Sequence, residues 1–140
     1  MQTLVTDLLV TLAYGVVGVL LMGIGYALVD MATPGRLSEL IWVDRNRNAA
    51  LLLASNLIGV GVIVVAAIAT SEDDFVLGII GAAAYGILGL VIMAAAFLLL
   101  DALTPGRLGQ ILVEPEPHPA VWVSAVVHLA TGAIIAAAIS

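Results

Sequence analysis

Two aspartates, Asp30 and Asp101, each close a long apolar run and open the same block: Asp30-x-x-Thr33-Pro34-Gly35-Arg36-Leu37 and Asp101-x-x-Thr104-Pro105-Gly106-Arg107-Leu108. A carboxylate at the C-terminal end of a helix meets the negative end of the helix dipole, so each aspartate needs compensation. Two kinds of chemistry supply it. In the first, Arg36 or Arg107, or the amides that open the next short segment, hold the carboxylate in a structural capped turn. In the second, the two carboxylates face each other and bind a cation, because ionisable groups near a membrane interior mark candidate pathways.

Two more polar groups interrupt apolar runs, Asn56 and His128. Ser124, His128 and Thr131 follow at i, i+4 and i+7, which places them on one stripe of a helix. An imidazole in such a position serves either as a hydrogen-bonded packing group or as a proton relay. His118, with Glu114 and Glu116, is near enough in sequence to touch a metal ion, but the interleaved prolines and the shortage of ligands argue against a metal site. No phosphate-binding glycine loop, zinc-protease helix or nucleophile elbow occurs, so the expectation is no enzyme, no catalytic residue and no cofactor. The chain has no Cys, which removes disulfide and thiol chemistry.

The elements that carry these residues follow from composition. With 63% apolar residues, 10% charged residues and a mean hydropathy of +1.22, the chain has too little polar surface for a soluble domain. Four uncharged stretches, 8–29, 49–69, 76–100 and 120–139, are long enough to cross about 30 Å of hydrocarbon as helices. Period-two alternation is missing, so the spans are helical and do not form a barrel. The first is expected to be retained and not cleaved as a signal, since no basic segment precedes it.

Sliding the chain on itself by 71 residues matches 19 of 59 positions between 11–69 and 82–140. The expected fold is therefore all-α, a polytopic membrane protein forming one domain over 1–140, with one repeat at 1–71 and the other at 72–140. Since each unit holds two spans, both insert the same way round as parallel repeats about a pseudo-twofold axis along the membrane normal. All four basic residues, Arg36, Arg45, Arg47 and Arg107, fall in the connections after spans 1 and 3, whereas the loop around Glu72, Asp73 and Asp74 is acidic. The positive-inside rule then places both Thr-Pro-Gly loops in the cytoplasm and both termini outside. The net charge of −6 argues against a nucleic-acid partner.

Within each connection Thr33 or Thr104 suits an N-cap and Pro34 or Pro105 the first helical position. Leu37, Leu40 and Ile41, like Leu108, Ile111 and Leu112, then continue a short interfacial helix, with Trp42 and Trp122 placed as headgroup anchors. Beyond that helix the copies diverge, into Asp44-Arg45-Asn46-Arg47-Asn48 in the first and the stiff Glu114-Pro115-Glu116-Pro117-His118-Pro119 in the second. Small residues line one stripe of span 1, including Gly15 and Gly18, and one stripe of span 3, including Gly86 and Gly89. These are expected to let the two copies within the chain approach closely in lipid, where van der Waals packing drives association, with a contact in a homo-oligomer as the alternative.

The doubled D-x-x-T-P-G-x-L block closing the first span of each pair resembles the YjfL-like bacterial inner-membrane proteins, a family catalogued as a domain of unknown function. The resemblance covers essentially the whole chain. It implies a four-helix plasma-membrane protein of two tandem copies, in bacteria that often encode it beside polyamine-metabolism or envelope-stress genes, and it implies no established reaction. Asp30, Thr33, Pro34, Gly35, Asp101, Thr104, Pro105 and Gly106 are its signature positions. The functional expectation is a protein that works by assembly in the bilayer, with itself or as an accessory subunit of a larger membrane complex. The alternative is an oligomeric cation or polyamine channel using Asp30, Asp101, Asn56 and His128.

Overall fold

A computed structural model of the chain describes residues 2–71 and 74–140, so Met1 and, in the acidic connection, Glu72 and Asp73 lie outside the described residues. The chain folds into six helices among these residues: α1 (Gln2–Ala32), α2 (Leu37–Trp42), α3 (Arg47–Ala69), α4 (Phe75–Leu103), α5 (Leu108–Leu112) and α6 (Pro119–Ile139). The long helices α1, α3, α4 and α6 are each long and apolar enough to cross a membrane. At 31 residues α1 is about 46 Å long, more than the hydrocarbon thickness, so it must tilt or protrude.

Three of these helices start on a side-chain cap that takes up an otherwise orphaned amide. Asn46 accepts from the Ala49 N–H at 3.0 Å at the start of α3. Asp74 accepts from Leu77 N–H at 2.9 Å for α4. His118 Nδ1 accepts from Ala120 N–H at 3.1 Å for α6, with Pro119 just inside, where its missing N–H is harmless.

The centre of the bundle is α3, which packs against α1, α4 and α6 and makes its largest contact with α6. Its most apolar stretch is 44% buried against 11% for that of α1, so α3 is an inner helix and α1 a peripheral one. One core cluster joins Val29, Leu52, Phe97 and Val121 to Leu37 of α2 and Leu108, Ile111 and Leu112 of α5. The other joins Leu21, Val60, Ile63, Leu90, Met93 and Ile135 in the opposite half.

Glycines set the close approaches, because a helix without a Cβ lets its neighbour reach the backbone. Gly86 receives the side chain of Leu21, whose Cδ1 occupies the place where a Cβ would stand, and Gly89 receives Ile63 at 2.8 Å. Gly18 lies in ordinary contact with Val64. Gly15 differs: among the described residues a Cβ there meets nothing within 4 Å, so the expected packing of Gly15 against the second copy is not made by them. The first half of α1 touches the rest of the chain through Tyr14, which donates to Ser71 Oγ at 3.1 Å and meets Phe75 edge-on, while Leu8, Leu12 and Val16 are exposed.

Candidate functional site

The two aspartates sit in turns of matching geometry. Asp30 Oδ1 accepts from the Leu37 N–H at 2.7 Å, and Asp101 Oδ1 from the Leu108 N–H at 2.7 Å. Each carboxylate thus reaches seven residues forward to the amide that opens the next short helix, and both side chains are half-buried. An ionised acceptor on a backbone N–H forms a stronger bond than a hydroxyl can. Thr33 and Thr104 consequently do not cap α2 and α5, contrary to expectation. Their hydroxyls donate backwards to the carbonyls of Val29 at 2.8 Å and Leu100 at 2.7 Å, sealing the ends of α1 and α4.

Nor are Pro34 and Pro105 the first helical residues. Gly35 and Gly106 follow them at φ +91° and +99°, where an L side chain is strained, and the helices begin two residues later. Arg36 does not meet Asp30; it pairs with Glu39 at 3.2 Å on the exposed surface. The turns differ at the next residue, since Arg36 has φ −103° whereas Arg107 is held at φ +62°.

Leu37 and Leu108, which follow the capped amides, are 0% and 1% exposed. The short helices are therefore plugs pressed into the end of the bundle by Leu37 and by Leu108, Ile111 and Leu112, while Glu39, Trp42 and Gln110 on them, and Val43 and Val113 just beyond, are exposed. Gly109 lets α5 lie on the end of α1, where its missing Cβ would come 3.1 Å from the Ala32 carbonyl and 3.4 Å from Pro34.

The divergent stretches of the two connections turn out to be partners. Asn48, buried at the start of α3, donates through Nδ2 to the carbonyls of Glu116 at 2.8 Å and Glu114 at 3.2 Å, and its Oδ1 accepts from His118 N–H at 3.1 Å. Asn46 Nδ2 adds a bond to the Glu114 carbonyl at 3.0 Å. A proline-rich strand has few donors of its own and exposes carbonyls, and the two asparagines supply the missing donors. This clamp brings the two connections together at one end of the bundle.

Above that end lies a cavity of about 280 Å³ between α1, α3, α4 and α6. Its walls are apolar, among them Leu52, Leu90, Met93 and Phe97, and its polar lining residues are Asn56 and His128, each 4% exposed. Asn56 Nδ2 donates to the Gly25 carbonyl at 3.1 Å, and His128 Nδ1 donates to the Ser124 carbonyl at 2.8 Å. The His128 ring is tilted against Phe97, with centroids 5.8 Å apart. Asp30 and Asp101 do not line this space.

The fold and the doubled turn define an all-helical integral membrane protein with four candidate spans. The family model described as "Domain of Unknown Function (DUF350)" matches residues 3–139, and the chain belongs to that family. It is similar to a UPF0719 transmembrane protein of Mycolicibacterium paratuberculosis, 35% identical over 130 residues that cover 93% of this chain and 86% of the relative. UPF0719 transmembrane proteins of Mycobacterium bovis and Mycobacterium tuberculosis are each 36% identical over the same shares. No solved structure matches the chain.

Proposed function

We propose that this small integral membrane protein works by assembly in a bacterial plasma membrane, as a homo-oligomer or as an accessory subunit of a larger complex. The observation that carries the reading is the state of α1: its most apolar stretch is 11% buried, and Gly15, on its small-residue stripe, has nothing within 4 Å of a Cβ position among the described residues. A small residue facing outward from a span is a place where another helix approaches closely. In this reading the two halves are tandem repeats about a pseudo-twofold axis, allied to the YjfL-like proteins by the doubled block, with the arginine-bearing loops in the cytoplasm and both termini outside. Asp30 and Asp101 act as caps, since Oδ1 of each accepts from the amide that opens the following short helix.

A cation or polyamine path would need Asp30, Asp101 and His128 to share one cavity. The cavity that His128 lines includes neither aspartate, which favours assembly over conduction. Gentle extraction from the native membrane after crosslinking, followed by native mass measurement, tests the reading. A discrete multiple of the chain mass, or a complex with other membrane proteins, is expected, and a single uncrosslinked chain contradicts it.

A further inference from the structure

The cavity between α1, α3, α4 and α6 presents a particular pair of unused atoms. Because Asn56 and His128 both bond to backbone carbonyls, the atoms making those bonds must be the N–H donors, Nδ2 of Asn56 and Nδ1 of His128. What remains is an amide oxygen on Asn56 and, on the neutral imidazole, the Nε2 lone pair. Both are acceptors, and among the described residues neither has a hydrogen-bond partner. Among the described residues the fully buried side-chain atom left without a partner is Ser124 Oγ; the two acceptors are not sealed off in that way, and their residues line one apolar space, where an incoming donor has two acceptors of the same polarity to choose from.

The cavity reaches the surface between the C-terminal ends of α1 and α4, where Leu28, Met31 and Leu98 line it and are themselves exposed. In a bilayer that opening faces hydrocarbon. We infer that this cavity binds a small lipophilic alcohol or phenol, a molecule that enters sideways from the membrane and donates its hydroxyl hydrogen to Asn56 Oδ1 or His128 Nε2. The lining selects against other classes. It holds no cation to receive a carboxylate and no carboxylate to receive an amine, and an acyl chain would leave both acceptors unpaired. Its volume, at the lower end of ligand pockets, fits a molecule of one or two rings.

The test uses the full chain in nanodiscs of saturated phosphatidylcholine, titrated with 1-naphthol and with its methyl ether, 1-methoxynaphthalene. These probes share size and apolarity but differ in the donor. The expected result is saturable binding of one naphthol per chain, about tenfold tighter than the ether after correction for partition into lipid, with a shift of the His128 Nε2 nitrogen resonance on titration. In Asn56→Leu and His128→Phe the preference for naphthol should shrink. Equal binding of both probes would mean an apolar or acyl-chain pocket only and overturns the inference, as does partition without saturation. An Nε2 resonance that stays still while Asn56→Leu keeps the full preference also overturns it. The resonance and the comparison of probes are read on the native protein, so they decide the matter even if a variant fails to fold.

Discussion

Gly132 lies directly on Gly59 where α6 crosses α3: a Cβ on Gly132 would stand 2.7 Å from the Gly59 Cα and 2.8 Å from its carbonyl oxygen. The obstacle is backbone, which cannot rotate aside as a side chain can. Replacing Gly132 by Ala therefore has to push apart the two helices that share the largest contact in the bundle, with a loss of about 1–3 kcal/mol expected for overpacking. Gly61→Ala is the matched control, because nothing lies within 4 Å of that position. Thermal unfolding in detergent should separate the two variants clearly.

Asn48 ties the second connection to the first through both ends of its amide. Asn48→Ala leaves the carbonyls of Glu114 and Glu116 short of a donor and the His118 amide short of an acceptor, with an expected destabilisation of about 1–3 kcal/mol. Hydrogen exchange should show the His118 amide losing protection first, while the amides in the middle of α4 stay protected. Unchanged exchange at His118 would argue against the clamp.

The aspartate turns call for an acceptor more than for a charge. Asp30→Asn keeps an oxygen for the Leu37 amide and should lose only a fraction of the roughly 1 kcal/mol that Asp30→Ala loses, by analogy with other helix caps. The same order is expected at Asp101 toward Leu108. A bound cation would reverse the emphasis, making the Asn variant as damaging as the Ala variant and the damage dependent on added salt. Melting curves of the four variants, with and without divalent cations, distinguish the cases.

Arg107 occupies a positive-φ position that its counterpart Arg36 does not, so Arg107→Gly should relieve strain. A gain of about 1 kcal/mol is expected in the same unfolding assay, with Arg36→Gly giving no gain.

Much of the architecture was legible because it rests on length, composition and punctuation. The four spans follow from uncharged runs longer than a bilayer requires, and the structure extends α1 and α4 a few residues past the apolar limits read for spans 1 and 3. The Asp and Thr-Pro-Gly block was visible as a unit because it is written twice, and the amides opening the next segment were one of the compensations open to each aspartate, but the sequence did not single out which amide. An aspartate capping an amide seven residues on depends on the path of the turn, set by Gly35 at φ +91°, which no nearest-neighbour capping rule contains. The asparagine clamp was also hidden, since comparing the two repeats reads the divergence of 44–48 from 114–119 as lost symmetry. In three dimensions the two stretches diverge into donor and acceptor. The contact of Gly132 with Gly59 was not legible either, because helices pack by where their axes meet, which no alignment of the chain on itself contains.

Orientation can be read with single cysteines, because the chain has none of its own. A cysteine replacing exposed Arg45 or exposed Glu116 should resist a membrane-impermeant maleimide added to intact cells and react once the cells are opened. A cysteine at Thr70, at the other end of α3, should react in intact cells. The opposite pattern would invert the topology.

The most direct measurement places one cysteine at Gly15, on the uncovered stripe of α1, in native membranes and oxidises it mildly. Assembly through this face predicts a disulfide-linked dimer, or transfer of a cysteine-anchored photocrosslinker to another membrane protein, with no such product from a cysteine at Gly86, which Leu21 covers within the chain. A Gly15 cysteine that stays uncrosslinked at native abundance, with the chain recovered alone, would contradict the claim that this protein works by assembly.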